Sequence, residues 1–225
     1  MEFQRARTDE QREQRRRVIL DTAADMLSGM PVAELSLNEL SRRVGLAKSN
    51  VLRYFETREA VLLELLATEL QEWVDALGKD RPMPGGDLRD RSDGLAALLA
   101  ESLAARPMLC DLASAQAAVL ERNVSTEVVL SHKRAVRASA EHLARTIMRV
   151  LPELGRAEAL QVISIALLMT SAIWPRSHPT EALLEAYRIE PVLAELDPGF
   201  AAALRGTLQL SISGLIARRS LDESR

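Results

Sequence analysis

The stretch Ser36 to Leu66, SLNELSRRVGLAKSNVLRYFETREAVLLELL, constrains this chain more than any other. Its caps, apolar spacing and one glycine prescribe three helices in succession. Ser36 followed by Glu39 fits a capping box, in which the serine oxygen accepts from an early backbone N–H and the glutamate reaches back to the cap. A helix therefore starts at Leu37. Leu37, Leu40 and Val44 recur along one helix face, and Gly45 stands where a left-handed residue ends a helix without a Cβ penalty. Leu46 then returns to the core. From Lys48 a second, short helix turns Val51 and Phe55 inward and leaves Lys48, Ser49, Asn50, Leu52 and Arg53 outside. Exposed lysine, serine, asparagine and arginine on a short helix suit the base edges of a DNA major groove. Thr57 caps a third helix, with Arg58 and Glu59 in its first turn and Val61, Leu62, Leu65, Leu66, Leu70, Trp73 and Leu77 as its apolar pattern. Arginine there opposes the helix dipole, which a phosphate partner compensates.

Residues 10 to 66 resemble the TetR (tetracycline repressor) family of bacterial regulators. Leu40 and Ser41 stand at the family's apolar-Ala pair, Gly45 at its turn glycine, and Val51 and Leu52 at its Leu-Tyr. Tyr54 and Phe55 stand at its aromatic-Phe pair, and Arg58 and Glu59 at its Lys-Glu. Three positions depart from the pattern. Leu52 lacks the tyrosine hydroxyl that usually touches phosphate, Ala47 replaces the usual serine cap, and Ser49 replaces a frequent glycine. Lysine pairs with guanine acceptors and asparagine with adenine, so Asn38, Lys48, Ser49 and Asn50 are expected at base edges. Ser36, Arg53, Tyr54, Thr57 and Arg58 are expected on the DNA backbone.

Charge is local. The chain carries a net −3, yet between Ser36 and Arg58 five basic side chains face only Glu39 and Glu56, a net +3. The single Cys110 excludes an intrachain disulfide, and the polar, charged N-terminus does not read as a secretory signal, so a cytoplasmic setting is expected. His132, His142 and His178 lack metal-ligand spacing, and neither a glycine-rich phosphate loop nor HExxH occurs. Enzyme, metal and cofactor are therefore not expected. A redox role for Cys110 competes with its reading as a small buried hydrophobe.

Along the chain, residues 1–9 read as a basic N-terminal arm, 10–56 as the DNA-binding domain, 57–77 as a connecting helix and 78–91 as a linker. Residues 92–220 read as an effector-binding and dimerisation domain. Arg5, Arg7, Arg12, Arg15, Arg16 and Arg17 precede the first apolar face of Val18, Ile19, Ala23, Met26 and Leu27. They form either a flexible arm along DNA phosphates or, since Asp9, Glu10 and Glu13 intervene, a solvated helix face. Downstream helices are expected at 92–105, 107–121, 126–150, 156–174, 180–188 and 198–218, with prolines at their edges and no strand pattern. The chain is thus expected to be all-α, as the resemblance also implies.

The segment Ala159 to Trp174 is apolar on nearly every face and must be buried on two sides. A run of about sixteen residues that includes Gln161, Ser164, Thr170 and Ser171 is short for a membrane span. The last helix pairs large apolar residues with Gly206, Ser211, Ser213 and Gly214. The resemblance implies that these two helices meet their copies in a homodimer on a palindromic double-stranded DNA operator. Ile165, Leu168, Leu204, Leu208, Ile212 and Leu215 are the expected interface. It also implies a small-molecule effector in a cavity of the middle helices, with Met108, Leu112, Gln116, His132, Met169 and Trp174 as candidate lining. That largely apolar wall suits an apolar or amphipathic ligand. Repressor, activator and redox-responsive or ligand-independent regulator all remain open at this point.

Overall fold

A computed structural model describes residues 2–77, 79, 83–116, 120–196 and 198–222. Among them the regular structure is helical: α1 (Glu2–Leu27), α2 (Leu37–Val44), α3 (Lys48–Val51), α4 (Arg58–Ala76), α5 (Leu88–Ala104), α6 (Pro107–Ala115), α7 (Thr126–Val150), α8 (Arg156–Ile173), α9 (Glu181–Ile189) and α10 (Phe200–Asp222). The all-α expectation holds. The contacts divide the chain into one unit of residues 1–69 and 115–134 and another of 70–114 and 135–225. This grouping cuts across chain order, since residues 115–134 pack with the N-terminal helices.

In the first unit the α2 boundaries follow from local chemistry. Ser36 Oγ accepts from Glu39 N at 3.2 Å, and Gly45 sits at φ 73°. Gly45 N donates to Arg42 O and Leu46 N to Ser41 O, which satisfies the last carbonyls in a Schellman arrangement. The capping box is only half formed. Glu39 turns away from the cap because Arg42 Nε and Nη2 and Arg43 Nε offer it three charge-assisted bonds of 2.7–2.9 Å. Ile19, Ala23 and Met26 of α1, Leu40 of α2, Val51, Phe55, and Val61 and Leu62 of α4 form the buried core. Leu37, Val44 and Leu46 are only half-buried, and Val18, expected on the apolar face of α1, is exposed.

The first helix corrects one expectation. Glu2–Leu27 is a single helix, so residues 2–9 continue α1 rather than forming an irregular arm. The sequence there lacks glycine and proline and is rich in Glu, Gln and Arg, all good helix formers.

The second unit centres on α5, α8 and α10, which pack on one another. Leu95, Leu99 and Leu103 of α5, Val162, Ile163 and Ala166 of α8, and Leu204, Leu208 and Ile212 of α10 are buried. Trp73 near the end of α4 is buried and donates its indole N–H to Ser102 Oγ at 3.0 Å. Arg91 donates two bonds to Glu153 and one to the Val150 carbonyl, tying α5 to the turn after α7. Helix α5 begins four residues before the expected 92 because Asp87 caps it, accepting from Asp90 N at 2.8 Å.

Candidate nucleic-acid interface

Lys48, Ser49, Asn50, Leu52 and Arg53 are exposed, while Val51 is fully buried and Phe55 nearly so. The periodicity therefore orients α3 as the spacing predicts. Ala47 provides no side-chain cap. Beyond α3 the turn tightens, with Arg53 N bonding Asn50 O and Tyr54 N bonding Val51 O. Asn38 and Ser36 are exposed at the start of α2, on the same head.

The cations differ sharply in freedom. Glu39 is held down at about 2 by hydrogen bonds from Arg42 and Arg43, so both arginines face a permanent carboxylate. Arg58 is turned inward: its side chain is 22% exposed, and Nη2 donates to the Val32 carbonyl. In the free protein Arg58 is thus a tie between α4 and the segment before α2. Thr57 Oγ1 caps α4, accepting from Ala60 N at 3.1 Å. Lys48 and Arg53 remain as the exposed positive charges around α3. A groove of about 1230 Å³ opens between α1 and the α3 region, lined among others by Arg12, Arg15, Asn50, Arg53 and Tyr54.

Of the six candidate pocket residues, two belong to the first unit and four to the second. Gln116 and His132 lie in the first unit, where Gln116 Nε2 stands 3.2 Å from His132 Nε2 and donates to Glu121 at 2.7 Å. His132 Nδ1 lies 3.0 Å from the Leu63 carbonyl, which can only accept. That arrangement fits a neutral ring protonated at Nδ1, and burial pushes the His132 pKa below its ordinary 6.5. Met108, Leu112, Met169 and Trp174 lie in the second unit. Leu112 is fully buried, and Trp174 donates its indole N–H to Asp111 at 3.0 Å and meets Phe200 edge-on. A second groove of about 970 Å³ runs between α5 and α10, past Leu88, Ser92, Gly206, Leu210, Ser213 and Ile216. Neither groove is lined by the six.

Three of the expected dimer residues are misplaced. Leu204, Leu208 and Ile212 have no exposed surface in the single chain, because they face α5 and α8 in the core. Leu168 and Leu210, by contrast, are 65% and 79% exposed, and Ile165 and Leu215 are half-buried. Burial, with the Asp111 carboxylate adding to it, pushes the Cys110 thiol up to about 12, and Sγ contacts the Leu103 carbonyl at 3.3 Å. A buried, protonated thiol is a poor redox sensor.

A helical head presenting a short polar helix, followed by a larger helical unit, is the architecture of a DNA-binding transcriptional regulator. The family model for bacterial regulatory proteins of the tetR family matches residues 19–65, and the model for the tetracyclin repressor-like C-terminal domain matches residues 67–219. The chain therefore belongs to the TetR family. Among solved structures it is similar to the fatty acid degradation regulator FadR from Bacillus halodurans, at 16% identity and TM-score 0.54, covering 89% of this chain and 96% of that one. It is also similar to a TetR transcriptional regulator from Rhodococcus sp. RHA1, at 11% identity and TM-score 0.53, with the same coverage. A regulator from Mesorhizobium loti MAFF303099 matches at 14% identity and TM-score 0.51, covering 92% and 96%. At such identities the likeness is one of fold. No curated protein matches significantly.

Proposed function

We propose that this regulator is a homodimeric, ligand-responsive repressor acting in the cytoplasm on a palindromic operator. Asn38, Lys48, Ser49 and Asn50 read base edges. Ser36, Arg53, Tyr54 and Thr57 hold phosphates, and Arg58 joins them only by giving up its bond to Val32.

The observation that carries dimerisation is the exposure of two apolar helices. The windows Arg156–Ser177 and Phe200–Arg219 have mean hydropathies of 1.6 and 1.3, yet only 33% and 22% of them is buried within the chain. By length and composition either helix is long and apolar enough to cross a membrane. Both, however, contribute core to the same unit through Val162, Ile163, Leu204 and Leu208, which favours a second copy as the cover for the remainder. A two-fold pair of such faces is self-complementary and presents two recognition helices to two half-sites. The revised interface is Ile165, Leu168, Leu210 and Leu215. Met108 and Met169, half-buried and adaptable, are the strongest pocket candidates for an apolar or amphipathic effector.

Sedimentation of the full chain tests the assembly. The wild type is expected as a dimer, and Leu210→Arg as a folded, predominantly monomeric protein. A monomeric wild type would contradict the proposal.

A further inference from the structure

Of the arginines at positions 12, 15, 16 and 17 of α1, three are exposed and Arg16 alone turns inward, its side chain 25% exposed. Its guanidinium meets three parts of the head at once. Nη1 donates to the Tyr54 carbonyl, Nη2 pairs with the Glu64 carboxylate on α4, and Cζ lies 4.4 Å from the centroid of the Phe55 ring. Tyr54 and Phe55 close the turn that leaves α3. A helix of four residues with no side-chain cap cannot hold its own pose, because a single turn has too few internal bonds to offset its ordering. Its orientation is imposed from outside. A planar fork with five donors can grip a carbonyl and a carboxylate while stacking on a ring, and a lysine ammonium cannot.

We propose that Arg16 is a positioning residue for DNA reading, fixing the exit of α3 through Tyr54 and Phe55 and making the pose of α3 depend on α4 through Glu64. The inference rests on α3 being the base-reading helix. Arg16 acts through α3 and contributes no phosphate contact. Movement of α4 therefore reaches the recognition helix through a side-chain joint as well as through the chain itself.

Glu64 supplies a readout that a purely structural role would not move. Its half-buried carboxylate is pushed up by burial, pulled down by Arg16 and pushed up again by Glu13 of α1. These two are the charged groups that act on it. In Arg16→Met the burial and Glu13 remain while the cation is gone, so Glu64 is an unpaired, half-buried charge that protonation relieves. Specific DNA affinity of that variant rises as pH falls. The wild type responds less steeply, because Arg16 opposes protonation of Glu64.

The test uses full-length protein, a duplex recovered by the wild type from a random-sequence library, and a scrambled duplex of equal length at the same salt. Arg16→Met is expected to weaken the selected complex about tenfold, the scale of one charge-assisted hydrogen bond, and the scrambled complex less than about twofold. Arg16→Lys, which keeps a charge beside Glu64, loses about threefold of discrimination with a melting temperature near wild type. Adding Glu64→Gln to Arg16→Met abolishes the pH response. Equal losses on both duplexes would make Arg16 a phosphate contact, and unchanged discrimination in Arg16→Lys would make it a spectator; either overturns the proposal. If Arg16→Met does not fold, Arg16→Lys decides alone. A wild type that recovers no preferred sequence overturns the base-reading role of α3 instead, a separate failure.

Discussion

At the scale of single residues, identical side chains divide by what surrounds them. Arg53 is exposed beside Asn50, whereas Arg58 is spent on the Val32 carbonyl. Arg53→Ala is expected to lower the salt slope of DNA binding by about one unit with little change in fold stability. Arg58→Ala should instead cost about 1–2 kcal/mol of stability, the worth of a charge-assisted bond to a partly buried carbonyl. Salt titrations and denaturant melts of both variants separate the two roles. His132 gives a pH dependence of definite sign. Its folded-state pKa lies below 6.5, so the unfolded chain takes up the proton first as pH falls. Stability is therefore full above about pH 6.5 and declines below it, toward the folded-state pKa. Denaturant midpoints at pH 7.5 and 5.5 should differ in the wild type and converge in His132→Gln.

At the scale of elements, the helices were largely legible because their limits are local events. Ser36, Gly45, Thr57 and Thr180 act within a turn of themselves, and each marks a helix edge in the structure. Asp87 could have been read the same way, since Asp90 follows at the capping distance. What the sequence could not give is which face of an all-round apolar helix meets which neighbour. Leu208 and Leu210 are both leucines of α10, two residues apart, and the pattern has no phase to tell them apart. The structure puts Leu208 in the core and leaves Leu210 in the open. Leu208→Arg accordingly strands a charge among α5 and α8 and is expected to destabilise the fold by several kcal/mol. Leu210→Arg should keep full helical content and melting behaviour at low concentration, as circular dichroism would show. The same limit explains Gln116 and His132, whose polar network with Glu121 and Leu63 joins segments far apart in the chain. A Gln116→Trp change would break that network. The exposed side of α3 was legible because Val51 and Phe55 fix its phase, while the inward turns of Arg16 and Arg58 depend on partners that no local pattern announces.

At the scale of the molecule, three helices, α4, α6 and α7, have residues in both compact units, α6 through Ala115 alone. The first turn of α7 is held by the head, since Glu56, just past the recognition turn, accepts from Ser125 N. An effector can change DNA affinity only through different affinities for two conformations, and the coupling must be reciprocal. Apolar and amphipathic probes such as indole and dodecanoate are therefore expected to raise the melting temperature of the free protein whenever they weaken its DNA complex. A probe that stabilises the protein with no effect on DNA binding would place its site outside this linkage. Footprinting the full-length protein on the duplex it selects, with the mass of the complex measured alongside, tests directly whether a two-fold dimer reads DNA through α3. Two symmetry-related protected half-sites and two chains per duplex are expected, and a single protected site bound by one chain would contradict the dimer.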